Sequence, residues 1–313
     1  MGSTRKFRFG AETDTAADRA EWIAKARRIQ DLGYSTMLLP DHIGDQRLAP
    51  ISAAMSVADA TETLRIGTFV LDNDYRHPAL LAKEVATLDV LSSGRFELGL
   101  GAGWLQDDYD MSGLTYDPPG VRIGRLEEAI KIIKSTYSGE PFDFDGKHYQ
   151  VRGLKGYPAP VQQGGPPLMI GGGGRRILGI AAREADIVSV NFSLPGGTHA
   201  AVANDLANAG PMDQKIEWIR EAAGARFDQL ELSTTVYFAS VTDDRQAAAE
   251  EIAPGWGFDV DVALNTPHLL LGSIEQMIDQ LVAQRERYGL SYIVFAQETY
   301  EMLAPVVERL AGT

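Results

Sequence analysis

Eight short apolar runs alternate with amphipathic helical patterns along this chain of 313 residues, and this alternation limits the folds open to it. Strands that alternate with helices pair in parallel through right-handed crossovers. Eight is also the number of parallel strands that closes into a barrel. We therefore predict one (β/α)8 TIM barrel over residues 1–313, with a doubly wound open sheet as the alternative. The runs are residues 7–10, 36–40, 65–71, 95–100, 167–171, 186–190, 231–239 and 291–295.

The segments between the strands predict helices and insertions. Helical periodicity covers residues 18–32 and 78–91, and Ser273 to Gln276 has the spacing of a capping box before a further helix. Within residues 138–165, Asp145-Gly146 is a hairpin-turn signal that predicts a small β insertion. Because long βα loops build the active site of an α/β barrel, we expect these insertions to carry function. The other long connections are residues 101–116, 192–212 and 252–268.

Charge and composition exclude several classes of function. Lys and Arg number 29 against 43 Asp and Glu, and this net charge of −14 opposes a nucleic-acid partner. The chain has no cysteine, which excludes disulfides, thiolate nucleophiles and cysteine-bound metals. No apolar stretch reaches the ~18 residues of a membrane span, and no signal peptide precedes the first strand. These features predict a soluble cytoplasmic protein that acts on a small molecule.

A run of four glycines, Gly171 to Gly174, joins a predicted strand to a predicted helix. Glycine permits backbone conformations that a Cβ forbids, and the free N–H groups at a helix start attract phosphate. No Lys-Ser or Lys-Thr follows the run, which excludes a P-loop for nucleotide triphosphates. The run therefore predicts a phosphate site, and a tight turn without a ligand is the alternative.

Asp41 and His42 directly follow the second predicted strand. At the carboxyl end of a barrel strand, a carboxylate and an imidazole can supply general acid or base chemistry. The structural alternative makes Asp41 a cap and His42 a packed side chain. Their position at a strand end favours a role in catalysis.

The fourth predicted strand ends in Gly99, Gly101 and Gly103, followed by Trp104. Glycines at alternate positions let a flat ligand approach the backbone closely. The pattern lacks the spacing and the downstream acidic residue of a dinucleotide fingerprint. Trp104 can stack on a ring or pack beneath a loop, and the sequence leaves both open.

The other four histidines do not predict a metal site. His77 precedes a proline at a helix start, which favours a structural role. His148, His199 and His268 lie in the long connections, without the spacing that metal ligands show on a helix. We therefore predict no bound metal.

Together these segments resemble the bacterial luciferase-like superfamily of (β/α)8-barrel oxidoreductases. The resemblance covers about residues 7–311 and is nearest to the branch that uses the deazaflavin coenzyme F420. Members of the superfamily are commonly dimers, which implies a homodimer. The segments that carry the resemblance are Pro40-Asp41-His42, Gly67 to Leu71, His77 to Phe96, Leu98 to Trp104, Pro167 to Gly174 and Leu303-Ala304-Pro305.

The resemblance implies a cofactor site at the carboxyl ends of the strands. Asp41 and His42 match the active-site pair of the family, beside the deazaflavin ring. Phe69 and Val70 match a bulge behind the ring, where family members often hold a non-proline cis peptide bond. The other implied contacts are Ala102 and Gly103 near the ring system, Gly171, Gly172, Gly173 and Gly174 at the side-chain phosphate, and Arg175 assisting them.

The resemblance implies an oxidoreductase that transfers a hydride between coenzyme F420 and a small organic substrate. In this hypothesis His42, oriented or supported by Asp41, donates or accepts the substrate proton. The first alternative is a monooxygenase of the same fold that uses reduced FMN and O₂. The second is a protein that binds a flavin-like cofactor without turnover.

One departure from the family bears on the substrate. The sugar-phosphate dehydrogenases of this branch place a glutamate after their Gly-x-Gly, where this chain has Trp104. No cluster of lysines for a sugar phosphate is evident either. Oxidation of glucose 6-phosphate is therefore not predicted.

Overall fold

Parallel strands form a closed barrel in the computed structural model, which describes residues 5–44, 47–198, 210–296 and 299–313. In this part of the chain the strands are β1 (Arg8–Glu12), β2 (Thr36–Leu39), β3 (Arg65–Thr68), β4 (Leu71–Asp72), β5 (Phe96–Gly101), β6 (Phe142–Asp145), β7 (Gln150–Leu154), β8 (Leu168–Gly172), β9 (Ile187–Val190), β10 (Glu231–Val236), β11 (Phe238–Val241), β12 (Leu269–Gly272) and β13 (Leu290–Phe295). Parallel pairing runs in the order β3, β2, β1, β13, β10, β9, β8, β5, and β5 pairs with β3 to close the ring. The TIM barrel is thus confirmed, and closure excludes the open sheet.

Helices cover the barrel, and the capping box read from the sequence lies at the start of one of them. Asp18 caps the first helix by accepting from the Glu21 N–H, and Ser273 and Gln276 form the predicted capping box. The helices are α1 (Arg19–Asp31), α2 (Pro50–Ala60), α3 (Pro78–Leu91), α4 (Gln106–Ser112), α5 (Pro119–Thr136), α6 (Arg175–Glu184), α7 (Met212–Ala223), α8 (Arg245–Trp256), α9 (Val260–Asn265), α10 (Ile274–Tyr288) and α11 (Ala304–Leu310). None of them is long and apolar enough to cross a membrane.

The insertions differ in part from the expectation. The β6–β7 hairpin is present and antiparallel, as predicted. The predicted strand 231–239 is divided, because β11 leaves the barrel and pairs in parallel with β12, a strand that the sequence did not reveal. The connections 101–116 and 252–268 hold α4 and α9. In the connection 192–212, residues 199–209, with His199, lie outside the described residues.

Buried ion pairs fill the amino end of the barrel. Glu97 on β5 is 2% exposed and accepts hydrogen bonds from Arg8 (2.7 Å) and Arg65 (2.6 Å). Arg8 also binds Glu231, and its guanidinium lies 3.6 Å from the centre of the Tyr292 ring. Burial alone would raise the pKa of Glu97, but the two guanidinium groups outweigh it and lower the pKa. This end of the barrel is therefore a compensated charge network.

Candidate active site

His42 lies at the carboxyl end of β2, and its ring contacts a buried carboxylate from a distant part of the chain. His42 Nδ1 lies 2.6 Å from Asp108 Oδ2, and Asp108 Oδ1 accepts from the Ile43 N–H at 3.1 Å. The Asp108 side chain is 3% exposed, whereas that of His42 is 26% exposed. A carboxylate can only accept from Nδ1–H, so this bond fixes the imidazole orientation and leaves Nε2 open to a ligand.

Asp41 is held away from the imidazole by other partners. Arg76 binds both of its carboxylate oxygens, and the Asp72 N–H donates to Oδ2 at 3.1 Å. The Asp41 side chain is only 6% exposed. No hydrogen bond within the described residues joins Asp41 to the His42 ring, so an orienting role for Asp41 stays a prediction. Asp41 anchors the backbone after the third strand, and Asp108 supplies the carboxylate beside the ring.

Trp104 lies next to His42 at the end of β5. The two rings meet edge to face, with centroids 6.0 Å apart and planes at 89°. The Trp104 carbonyl accepts a hydrogen bond from the Tyr116 hydroxyl at 2.8 Å, which holds this part of the loop. The half-buried indole therefore borders the imidazole at the barrel mouth.

Phe69 and Val70 interrupt the third strand between β3 and β4. The peptide bond between them is cis, as the resemblance implied. Both side chains are half-buried and pack on the apolar cluster inside the barrel. Across from them, a Cβ on Gly101 would lie 2.7 Å from Val70 Cγ2, and one on Gly171 would lie 3.8 Å from Val70 Cγ1. The two glycine-rich strand ends read from the sequence therefore meet at Val70.

The backbone of Ala102 and Gly103 is fixed from behind by a buried arginine. Arg122 Nε donates to the Ala102 carbonyl, and Nη2 donates to the Gly103 carbonyl, both at 3.3 Å. Gly103 has a φ of +72°, and a Cβ there would lie 2.0 Å from the Tyr109 hydroxyl. Packing thus requires glycine at position 103. Contact of Ala102 or Gly103 with the ring of a cofactor stays a prediction.

The glycine run Gly171–Gly174 ends β8 and leads into α6. A Cβ on its second glycine would lie 2.5 Å from Ile177, and one on its third would lie 2.3 Å from the Phe192 carbonyl carbon. The nearest atoms to a Cβ on the first and fourth glycines lie at 3.8 Å and 3.7 Å. Packing therefore explains the two central glycines, and the outer two leave space at the barrel mouth, the carboxyl ends of the barrel strands.

The start of α6 offers unpaired backbone donors. Gly174 is the N-cap residue, and no side chain caps this helix. The first N–H groups of a helix have no intrahelical acceptor, and they lie at the positive end of its dipole. Such a helix start suits a phosphate. Arg175, which was expected to assist, is 69% exposed and pairs with Glu221 at 3.0 Å, so it is directed toward α7.

Glu12 is a site residue that the sequence analysis missed. It is the last residue of β1 and lies half-buried at the barrel mouth. No hydrogen bond from the described part of the chain reaches its carboxylate. Burial, and to a smaller extent Asp14, raise the pKa of Glu12 to about 7, and Arg47 only partly opposes them. Glu12 can therefore hold or release a proton near neutral pH.

Asp72, at the end of β4, is a second missed acid. Burial raises its pKa to about 7, against hydrogen bonds from the Asp74 N–H (2.9 Å) and the Tyr109 hydroxyl (3.2 Å). Asp74 shares the same hydroxyl at 3.1 Å and is paired with Arg125. Perturbed acids of this kind gather at functional sites. Their only sequence signal is a position at the end of a predicted strand.

His77 and His148 contact the protein's own helices. His77 caps α3, since its Nδ1 accepts from the Ala79 N–H at 3.2 Å, which confirms the structural interpretation. His148 Nε2 lies near the backbone of α5, 3.3 Å from where a Cβ on Gly124 would be. Within the residues that the structure describes, no group of three or more acidic or histidine side chains is placed to hold a metal ion.

The sequence matches one family model and several characterised relatives. The model for luciferase-like monooxygenases matches residues 1–290. The F420-dependent glucose-6-phosphate dehydrogenase of Amycolatopsis mediterranei is 30% identical over 187 residues, which cover 58% of this chain and 55% of that protein. That match spans about half the length of the relative. The enzyme of the same name from Nocardia farcinica is 28% identical over 300 residues, which cover 85% of this chain and 84% of that protein.

The fold has solved counterparts. The coenzyme F420-dependent tetrahydromethanopterin reductase of Methanopyrus kandleri superposes with a TM-score of 0.73. The superposition covers 98% of this chain and 99% of that one, at 17% identity. At this level of identity the likeness concerns the fold alone.

Proposed function

Because this chain belongs to the luciferase-like monooxygenase family, we propose that it is an oxidoreductase that transfers a hydride between coenzyme F420 and a small organic substrate. Relatives named as F420-dependent enzymes support the choice of cofactor. One observation carries the proposal. His42, braced by Asp108, shares the barrel mouth with the Phe69–Val70 bulge and the glycine run.

The residues at the mouth fit a flat cofactor with a phosphate. The uncapped start of α6 and the space around Gly171 and Gly174 suit the phosphate, in spite of the net charge of −14. The bulge at Phe69–Val70 presents an apolar edge at the end of the third strand. Backbone donors and shape rather than cations would therefore hold the group, because the Arg175 guanidinium pairs with Glu221 on α7.

The chemistry divides between cofactor and protein. Bound F420 supplies the carbon that takes or gives the hydride. His42, with Nδ1 held by Asp108, holds or releases the substrate proton at Nε2. Glu12 is a second proton-holding group at the mouth, because its pKa is raised to about 7. Asp41 keeps Arg76 and the backbone of Asp72 in place, which preserves the shape of the cofactor site.

A fluorescence titration with oxidised F420 and with FMN tests the cofactor, and one matched pair of variants tests the phosphate site. Gly174→Asp adds a negative charge where we expect the phosphate, and Gly174→Asn is its neutral isostere. Both residues are good N-caps at this extended backbone position, so the fold should tolerate them. We expect the Asp variant to bind F420 about 10-fold or more weakly than the Asn variant. Equal F420 affinities of the two variants would contradict a phosphate site at this helix start.

A monooxygenase that uses reduced FMN and O₂ is the second candidate, because the family model is named for monooxygenases. It predicts tight binding of reduced FMN and substrate-dependent consumption of O₂. F420 binding without O₂ consumption supports the hydride-transfer proposal. Binding of F420 without any substrate-dependent redox change across a substrate screen would favour a non-catalytic carrier.

We further propose that the chain forms a homodimer. α3 exposes Leu80 (63%) and Leu91 (58%), which lie about three turns apart on one helix face. Light scattering should therefore give twice the 34.0 kDa mass of one chain for the wild type. The double variant Leu80→Asp, Leu91→Asp should give the mass of a single chain. A wild-type protein that runs as a single chain at micromolar concentration would contradict the dimer.

A further inference from the structure

A cavity of about 520 Å³ lies beside the barrel mouth, between the start of α7 and the connection from α8 to α9. Its volume falls within the roughly 300–1,000 Å³ of small-molecule sites. None of the side chains assigned above to cofactor binding or proton transfer lines it within the described residues. Phe192 connects the two regions, because it lines the cavity while its backbone packs against Gly173.

Lys215, on α7, is a buried cation in the cavity wall. It is 2% exposed, and its Nζ donates to the Asn191 carbonyl at 2.7 Å. No carboxylate in the described part of the chain forms an ion pair with it. Burial lowers its pKa to about 8, so most of the molecules keep the charge at neutral pH. A buried ammonium without a counterion is unfavourable, and a bound anion would supply the missing partner.

The start of α7 adds backbone donors at the same wall. Pro211 is the N-cap residue and provides no side-chain cap, and Met212 and Asp213 line the cavity. The Asp213 carboxylate is engaged by Arg287, at 2.8 Å and 3.1 Å. The first N–H groups of the helix thus add positive potential beside Lys215. Two independent features therefore favour an anion here.

The other walls are aromatic. The His268 ring is 3% exposed and packs on Phe192 with a centroid distance of 4.0 Å and the two planes tilted by 43°. Its Nδ1 donates to the Thr235 carbonyl at 2.9 Å, and burial lowers its pKa to about 3, so the ring is neutral. The centroid of the Phe258 ring lies 6.1 Å from that of the Phe192 ring. A planar apolar ligand body would find aromatic partners on these sides.

Exposed acids limit the charge of the ligand. Asp259 and Asp261 line the cavity and are exposed at its rim. They repel a doubly charged group such as phosphate more strongly than a single carboxylate. A planar acid with one negative charge satisfies both the buried lysine and this acidic rim.

We propose that this cavity binds an aromatic monocarboxylate, with the carboxylate on Lys215 and the start of α7 and the ring against Phe192 and Phe258. The site is separate from the cofactor residues, so the inference does not depend on the proposed oxidoreductase activity. Because Phe192 also packs on the glycine run, the ligand lies next to the region where the cofactor phosphate is proposed.

Calorimetry on the full chain without cofactor tests the site. The probes are 2-naphthoate, its neutral analogue 2-naphthylmethanol and inorganic phosphate. We expect saturable binding of naphthoate and at least 10-fold weaker binding of the other two. Lys215→Met should weaken naphthoate by about 10- to 100-fold, the range for one hydrogen bond to a charged group. Methionine fills a similar volume without the charge, and denaturation confirms that the variant is folded.

A second lysine variant serves as the matched control. Lys131 is exposed on a helix, and Lys131→Met should bind naphthoate like the wild type. No binding of naphthoate to the wild type, or equal binding to the folded Lys215→Met variant, would overturn the proposal. So would the alcohol binding as tightly as the acid, or phosphate binding more tightly. F420 affinity, measured separately on the same variants, keeps this outcome distinct from that of the proposed function.

Discussion

Two glutamates on barrel strands, Glu97 and Glu12, have opposite electrostatic surroundings. Glu97, near the amino end of β5, accepts from two guanidinium groups, and its pKa is lowered. Glu12, at the carboxyl end of β1, has no hydrogen bond from the described residues, and burial raises its pKa to about 7. A glutamate is thus permanently charged at the amino end of the barrel, whereas a glutamate at the carboxyl end titrates near neutral pH.

The difference follows from where the arginines lie. Arg8 and Arg65 begin their strands and extend across the amino end, where they compensate a buried charge. At the mouth, Asp41 is paired with Arg76. Burial there raises the pKa values of two other carboxyl groups, Glu12 and Asp72. The amino end therefore serves stability, and the mouth keeps groups that can exchange protons, as in other α/β barrels.

Removing the imidazole at the mouth should give the largest effect. If His42 carries the substrate proton, His42→Ala lowers turnover by about 10²–10⁴-fold. Cofactor affinity should change little, whereas the free energy of unfolding should fall by about 1–3 kcal/mol, because the buried Asp108 loses one hydrogen-bond partner and keeps the Ile43 N–H. Steady-state kinetics and a cofactor titration on the same preparation measure this separation. Unchanged turnover would remove His42 from the reaction.

Neutralising the amino-end carboxylate should instead affect stability. Glu97→Gln removes the carboxylate that Arg8 and Arg65 share, and although Arg8 keeps Glu231, the loss should cost about 1.5–3 kcal/mol in the free energy of unfolding. Because the pKa of Glu97 is lowered, this contribution is present above its ordinary value of 4.5 and is lost as pH falls below it. Urea denaturation at pH 7 measures the loss.

An exposed pair provides the control for that measurement. Glu301 binds Arg28 with both side chains about half exposed (51% and 52%), so Glu301→Gln should cost less than about 1 kcal/mol. Equal losses in the two variants would mean that the amino-end network is no stronger than a surface pair.

Weakening the brace behind the imidazole should have an intermediate effect. Asp108→Asn keeps the size of the side chain but removes the charge that faces His42 Nδ1. We expect turnover to fall by about 10- to 100-fold, with a shift in the pH profile that a purely structural loss would not produce. Asp107→Asn, at the exposed neighbour, is the control. A pH profile identical to that of the wild type would show that Asp108 does not act through His42.

The smallest expected effect is a gain in stability. The raised pKa of Glu12 means that its ionisation opposes folding. This penalty is absent below its ordinary value of 4.5, grows as pH rises, and is complete above about 7. Glu12→Gln should therefore stabilise the protein by about 1–2 kcal/mol at pH 8 and leave its stability unchanged at pH 4. The expected gain is smaller than the full pKa shift would give, because Glu12 is partly exposed and solvent screens its charge. Destabilisation at pH 8 would mean that the ionised group has a partner.

Local patterns in the sequence account for most of the fold. The period of apolar residues located all eight barrel strands, and the cap at Ser273 and the turn at Asp145-Gly146 marked a helix start and a hairpin. These signals depend on neighbours within a few residues along the chain. β12 was missed because its short run of three leucines lies inside a long connection, and within the described residues it pairs with β11, about 30 residues earlier.

The glycine run and His42 could be read from the sequence because their types and their positions at strand ends are local facts. The partner of His42 could not, since Asp108 lies 66 residues away and reaches the ring only where α4 folds over the mouth. In the same way, the pairing of Asp41 with Arg76 joins residues 35 positions apart and could not be read from the local sequence. The charge state of Glu12 depends on burial and on the absence of a nearby guanidinium, and both arise when distant segments pack together.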